Sequence, residues 1–357
     1  MAESEVSQAA EILFEQRGSL GVVILNRPKA VNALTATMCE AMLAQLQAWA
    51  TDASISQVLV CGSGERGLCA GGDIVAIYRD ATGGGDATAD FWRTEYQLNS
   101  LISRYPKPYI ALMDGLVLGG GVGISAHGSV RIVTERTRCG MPETTIGFVP
   151  DVGGTYLLSR APGEAGTHAA LTGAHLSAGD VLYLGMADYF VPSEQLPALK
   201  LALETETAPD AVVRFACPAP ESALAAEREL IDSAYAAESV EEILQNLRAQ
   251  GSEHAETIAA KSPTAVKVAL ASLRRSRELG SLEEVLDQEY RVGLRFLAGH
   301  DLAEGIRAQV IDKDRNPQWS PASLAAVSQA DVESYFAPLG ERELGLAAIS
   351  ESSSTRN

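Results

Sequence analysis

The stretch from Leu118 to Gly154 pairs a glycine run, LGGGVG, with two carboxylates, Glu143 and Asp151, in the segment MPETTIGFVPDVGG. Backbone N–H groups at a glycine turn that runs into a helix can bind a developing oxyanion. A carboxylate held near them can serve as base, acid or nucleophile. These are the parts needed for chemistry at an acyl carbonyl. Each part also has a plainer use. The glycine run could simply permit close helix–strand packing, and it fits the dinucleotide pattern G-x-G-x-x-A over Gly121, Gly123 and Ala126. A dinucleotide site needs a second strand ending in a ribose-binding acid about 20 residues on, and Glu143 follows Met141-Pro142 rather than an apolar run. Glu143 after Pro142 also suits a helix start, and Asp151 before Val152-Gly153-Gly154 suits an N-cap.

A second glycine patch strengthens the chemical reading. Upstream, SQVLVCGSGERGLCAGGDI reads as a buried strand, a loop, and a turn ending in Ala70-Gly71-Gly72-Asp73. Small residues there let a ligand approach the backbone with no Cβ in the way. Gly72 and Gly120 are the expected pair of N–H donors of an oxyanion hole, with Asp73 a cap or turn residue supporting it. Two glycine turns followed by acids resemble the crotonase superfamily. So do the entry loop Leu25-Asn26-Arg27-Pro28 with Asn32-Ala33-Leu34, and Lys107-Pro108 leading into an apolar strand. The resemblance runs over residues 12–192. It implies an α/β fold, a crotonase-like spiral of ββα units, and an oxyanion hole for the thioester carbonyl of an acyl-CoA.

One departure narrows the family. Members that hydrate enoyl-CoA carry two catalytic glutamates, the first just after the glycine run, where this chain has Gly123; the second falls on Glu143. The segment PETTIGFVPDVGG, the run Arg93-Thr94-Glu95-Tyr96 and the late stretch GHDLAEGIRAQVIDKDRNPQWSP (residues 299–321) resemble the 3-hydroxyisobutyryl-CoA hydrolase branch instead. That resemblance implies hydrolysis of a β-hydroxyacyl-CoA thioester, with Glu143 and Asp151 catalytic and Glu95 contacting the substrate hydroxyl. On residue pattern alone, Glu95 borders the apolar stripe Phe91, Trp92, Leu98, Ile102 and would be a solvated edge glutamate. Two alternatives remain: an enoyl-CoA hydratase or isomerase acting through Glu143 alone, and a non-catalytic acyl-CoA-binding protein.

Composition sets limits. A chain of 357 residues, 46% hydrophobic, can bury a full core. A net charge of −18 argues against general binding to nucleic acid or anionic membranes. CoA is itself polyanionic, so its phosphates need a local basic patch; Arg27, Lys29 and Arg66 lie beside the two loops that would face them. Cys39, Cys61, Cys69, Cys139 and Cys217 form no CxxC or Cys/His cluster, as expected of reduced thiols. Cys69 has no neighbouring histidine to activate it, and His127 reads as a satisfied buried histidine. No metal is expected, and no cofactor, CoA being part of the substrate. The N-terminal residues MAESEVSQAAEILF show neither a signal-peptide pattern nor a span long enough for a bilayer. The expectation is a cytoplasmic protein, and a homo-oligomer is possible because many members of the superfamily assemble.

The positioning elements follow from periodicity. Residues 12–15 and 22–25 read as a hairpin around Gly18, and 35–51 as a helix with Met38, Met42, Leu46 and Trp49 on one side. Strands at 57–61, 109–113 and 130–133 alternate with helices, the pattern of βαβ units and a largely parallel sheet. Gly83-Gly84-Gly85-Asp86 reads as a flexible loop beside the substrate entrance. After Pro192, Pro- and Ala-rich stretches punctuate helices, including one starting at Ser262-Pro263 and an amphipathic one over 281–298. The expected organisation is an acyl-CoA-binding core over 10–200, a helical C-terminal region over 201–330, and a tail over 331–357 that is partly disordered.

Overall fold

The computed structural model describes residues 10–348; the serine-rich end, residues 350–357, lies outside the described residues. The chain opens with the expected hairpin, β1 (Ile12–Arg17) and β2 (Leu20–Leu25), antiparallel around Gly18. Helix α1 (Ala36–Thr51) comes next, its first turn capped by the Thr35 hydroxyl and its buried side formed by Met38, Met42, Leu46 and Trp49. From there the chain repeats one unit three times. A longer strand, β3 (Gln57–Gly62), β5 (Tyr109–Met113) or β7 (Val130–Val133), is followed by a short one, β4 (Gly67–Cys69), β6 (Leu116–Leu118) or β8 (Arg138–Gly140).

The longer strands join the hairpin and β9 (Tyr189–Phe190) in a six-stranded sheet of order β1-β2-β3-β5-β7-β9, parallel beyond the first pair. The short strands form a separate parallel sheet of order β4-β6-β8. This is the spiral of ββα turns. The longer strands are near-continuous apolar runs because both faces of the large sheet are covered. Alternation sorts their side chains: Val58, Val60 and Ala111 join the main core, while Leu59, Ile110 and Ile132 meet the helices around Leu199 and Val212 on the other face.

The short sheet sets the site. Its strands are in parallel register, Cys69 beside Val117 and Leu118 beside Gly140, so their carboxyl ends lie side by side. Each strand runs directly into a site segment: β4 into Ala70-Gly71-Gly72, β6 into Gly119-Gly120, β8 into Met141-Pro142-Glu143. Helix α2 (Ile74–Gly83) begins after the first, and α3 (Ala87–Ser103) then returns across the core. The glycine stretch expected to be a flexible loop is instead a tight helix–helix turn: Gly84 caps α2 in the left-handed conformation (φ 70°) and Asp86 sits at the N-cap of α3. Glycine is used there because an L side chain resists that backbone angle. A short helix, α4 (Gly120–Gly123), comes after β6, and α5 (Gly154–Ser159) after the acid-bearing loop.

Three C-terminal helices close over these turns. Helix α6 (Pro263–Ser276) starts with Ser262 as N-cap and proline at the first turn. Helix α7 (Leu282–Leu297) has a capping box formed by Ser281 and Glu284. Helix α8 (Asp301–Ile306) lies directly beyond it. Their buried residues belong to the same apolar cluster that starts at Val23 on β2. Helix α6 is also tied down by Arg274 and Arg277, which donate to the Glu164 carboxylate at 2.7–3.0 Å. Because α7 shares its core with the sheet, Leu286→Ala, which empties a fully buried site, is expected to cost about 2–5 kcal/mol. Urea denaturation should show a lower midpoint with one transition and an unchanged slope.

Candidate functional site

At the carboxyl ends of the short strands lies a cavity of about 260 Å³. Its walls come from both glycine turns, from α2 and α3, from the loop carrying Glu143 and Asp151, and from Leu302, Ile306 and Gln309 of the C-terminal region. The glycines are required by contact. A Cβ on Gly119 would sit 2.7 Å from Glu143 Oε1, and one on Gly120 would sit 2.6 Å from Glu95 Oε1 and 3.4 Å from Gly72 N. Among the described residues, neither Gly72 nor Gly120 gives its N–H to a backbone acceptor. The two expected donors therefore face one cavity, uncommitted. Cys69 lies behind the first turn, where its Sγ accepts from Gly71 N–H; burial pushes the thiol up to about 12, which keeps it from acting as a nucleophile.

Three carboxyl groups reach this space: Glu95 is 2% exposed, Glu143 8% and Asp151 6%. None of the lining residues is lysine or arginine. Glu143 opens a 3-10 turn (Glu143–Ile146) after Pro142, as expected of a helix-start acid, and its Oε2 has no partner within the protein. Burial first, and then the Asp151 charge, hold its carboxyl well above the usual carboxylate range. Glu95 projects from α3 with Oε1 unpartnered, raised by the same two causes. Asp151 accepts a 2.7 Å hydrogen bond from the Tyr96 hydroxyl, and burial lifts it to about 7 although that bond lowers it.

Asp151 is not an N-cap. The cap position of α5 is Gly153 (φ 77°), and no side chain caps it. Val152 (φ 53°) and Gly153 both turn left-handed, so the helix begins beyond reach of the Asp151 carboxylate, which goes to Tyr96 instead. Gly123 occupies the place where a hydratase would carry its first acid. A Cβ there would lie 2.7 Å from Val152 Cβ and 2.8 Å from Asn99 Nδ2, so any side chain would force Val152 or Asn99 to move. Asp73 caps α2 by accepting from Ala76 N–H and pairs with Arg27 at 3.0 Å. Arg27 is matched by Glu11 as well, whereas Lys29 and Arg66 are exposed. His127 donates from Nε2 to the Val152 carbonyl at 2.8 Å; burial lowers it to about 4, so it is neutral. Among the described residues, no cluster of metal-ligand type occurs, and no helix is long and apolar enough to cross a membrane.

Sequence reasoning missed two groups. Tyr96 is next to Glu95, yet nothing local marks it as the donor to Asp151. Glu289 on α7 accepts from the backbone after Asp151 at 2.7 and 2.9 Å. Its one sequence signal is an acid on the buried side of an amphipathic helix. The far wall is aromatic: Trp92 stacks on Phe148 (5.2 Å between centroids), which meets Phe296 edge-on.

The chain resembles known proteins over most of its length. The family model described as enoyl-CoA hydratase/isomerase matches residues 20–336. Curated relatives include "3-hydroxyisobutyryl-CoA hydrolase, mitochondrial" from Danio rerio, 43% identical over 94% of this chain and 92% of that protein. The protein of the same name from Homo sapiens is 39% identical over 94% of this chain and 91% of its own length. Among solved structures, a carnitinyl-CoA dehydratase from Mycobacterium thermoresistibile is 50% identical with a TM-score of 0.92, covering 94% of this chain and 98% of that one. An enoyl-CoA hydratase from Rhodobacter sphaeroides 2.4.1 is 40% identical with a TM-score of 0.88, covering 94% and 99%. The cytoplasmic location expected from the sequence is overturned by the relatives named mitochondrial. Free thiols indicate reducing surroundings without saying which compartment supplies them.

A buried carboxyl with a raised pKa is favoured in its protonated form, so its contribution to stability is present in acid and lost as pH rises through the folded value. For Asp151 the loss accumulates from about pH 4 and is complete above its folded value of about 7. Asp151→Asn never ionises and can still accept from Tyr96. Its melting temperature relative to wild type is expected to climb between pH 4 and pH 8, measured by thermal denaturation across that range; a constant difference would contradict the buried-acid account.

Proposed function

The chain belongs to the crotonase, or enoyl-CoA hydratase/isomerase, family, and on that premise we propose that it hydrolyses a short β-hydroxyacyl-CoA thioester, 3-hydroxyisobutyryl-CoA, releasing 3-hydroxyisobutyrate and CoA in valine breakdown. The observation that carries this reading is the packing at Gly123. With glycine there and its side-chain space taken by Val152 and Asn99, water addition across a double bond by a glutamate pair lacks one partner, while Glu143 shares the cavity with two N–H groups that have no backbone acceptor. The names of the curated relatives support the same reaction.

In the proposed reaction the thioester oxygen accepts from the N–H groups of Gly72 and Gly120 as it gains charge. One such donor is worth about 3 kcal/mol in enzymes that use it. Glu143 acts in one of two ways. Its carboxylate bonds to the acyl carbon as the C–S bond breaks, giving an anhydride that water then cleaves. Alternatively it takes a proton from water as the oxygen of that water bonds to the acyl carbon. Asp151, near neutral in pKa and held by Tyr96, gives the departing thiolate its proton or orients the β-hydroxyl, with Glu95 the other contact for that hydroxyl. The aromatic wall of Trp92 and Phe148 suits a small branched acyl group. The exposed Lys29 and Arg66 meet the CoA phosphates, while Arg27, already paired, shapes the loop between them. No separate cofactor is required.

A second reading, reversible hydration of an enoyl-CoA, is favoured by the names of two similar solved structures, a dehydratase and a hydratase. Thiol release separates the two. Wild type should liberate free thiol from 3-hydroxyisobutyryl-CoA, and Glu143→Gln should reduce kcat roughly 10²–10⁴-fold, the usual worth of a positioned acid or base. Loss of crotonyl-CoA absorbance without thiol release would sink the hydrolase reading. A single turnover in ¹⁸O-water that leaves label in the Glu143 side chain would mark an anhydride opened at the glutamyl carbon; opening at the substrate carbon, like the general-base route, puts the label in the released acid.

A further inference from the structure

Glu289 lies outside the cavity, yet it is the most buried acid near it, 1% exposed on α7. Its Oε2 accepts from Gly153 N–H at 2.7 Å, and its Oε1 accepts from Thr155 N–H at 2.9 Å and from the Thr155 hydroxyl at 2.6 Å. Thr155 Oγ1 is also 3.0 Å from Ser276 Oγ on α6. All three donors to Glu289 come from the backbone turn that begins at Asp151. That turn contains Val152 at φ 53°, a conformation a β-branched residue adopts at a cost of about 1–3 kcal/mol. Such strain persists only where the surroundings over-determine it. Here three constraints do so: His127 holds the Val152 carbonyl, Glu289 holds the next N–H, and the missing Cβ of Gly123 makes room for the Val152 side chain.

We propose that Glu289 is a positioning residue for thioester hydrolysis, a carboxylate on the C-terminal helix that clamps the strained 152–155 turn and thereby aims Asp151 at Tyr96 and the cavity. This rests on the hydrolase reading of the site. The clamp is also electrostatic. The groups facing it are Asp151 and Glu143 from the site loop, Tyr96 from α3 and the neutral His127, with no cation among them. Burial lifts Glu289 to about 8, the Thr155 hydroxyl pulling the other way, and its charge in turn helps raise Glu143. The C-terminal helix therefore supplies the shape of the turn and an acid whose charge, when present, adds to the upward shift of Glu143.

The test compares wild type, Glu289→Gln and Glu289→Asp in the full chain. It measures kcat and KM for 3-hydroxyisobutyryl-CoA, together with amide hydrogen exchange over residues 151–155. An amide has one acceptor oxygen, so Glu289→Gln turns an NH₂ toward at least one loop N–H. Its kcat is expected to fall tenfold or more with KM within threefold. Glu289→Asp keeps a carboxyl with two acceptor oxygens but shortens the reach; its kcat should fall less than that of Glu289→Gln. Exchange over 151–155 should accelerate in both. Unchanged exchange overturns the proposal, as does a Glu289→Gln kcat within twofold of wild type. A fall in kcat matched by an equal rise in KM also overturns it, since that is the mark of a generally loosened site rather than a mis-aimed Asp151. If Glu289→Gln does not fold, the kcat and exchange of Glu289→Asp decide alone. Wild type that releases no thiol refutes the substrate reading, and the exchange measurement still judges the clamp.

Discussion

Burying Glu95, Glu143 and Asp151 around one cavity with no lysine or arginine in its walls costs free energy, since each charge loses water and meets another of its own sign. The cost appears as upward shifts of Glu95 and Glu143, caused by burial first and the Asp151 charge second, and as two carboxyl oxygens left unpartnered. An oxygen with no partner in the resting protein is free to engage a substrate. The same cavity holds two backbone N–H groups with no backbone acceptor. Donors and acids left unsatisfied side by side form an arrangement complementary to an acyl group that gains and then loses negative charge.

The geometry that brings them together is the three-stranded parallel sheet. Because its strands end in register, three segments far apart in sequence emerge at one edge, and each contributes a different part: donor, donor, acid. Close approach then dictates residue type. Glycine at 119 and 120 leaves space for the Glu143 and Glu95 oxygens, and glycine at 123 leaves space for Val152. By admitting Val152, Gly123 closes the route by which a second glutamate could enter from α4, which separates this site from the two-glutamate hydration pattern despite close similarity to structures named as a hydratase and a dehydratase.

The C-terminal helices complete the site in two ways. Leu302, Ile306 and Gln309 wall the cavity, and α7 brings an aromatic face to Phe148 and a carboxylate to the turn after Asp151. They share one apolar core with the sheet, so the parts of the site are held by the same packing that holds the fold.

Features that depend on neighbours along the chain are legible in the amino-acid order. Apolar periodicity located the hairpin, α1, the strands at 109–113 and 130–133, and α7, because two-residue and 3.6-residue repeats are local signatures of burial. The two glycine turns and Glu143 were legible because backbone approach demands residues without side chains, and that demand is visible in composition. The short strands β4, β6 and β8 were not, since three residues carry no period. Asp151 fits both a catalytic acid and a cap in the sequence, and the cap alternative fails because the left-handed turn at Val152, stabilised from outside by His127, Gly123 and Glu289, moves the helix start away. Tyr96 and Glu289 acquire meaning only when α3 and α7 pack against the loop. The raised pKa values likewise belong to the tertiary structure alone: desolvation and the proximity of like charges depend on what surrounds a group in space, and no spacing along the chain encodes them.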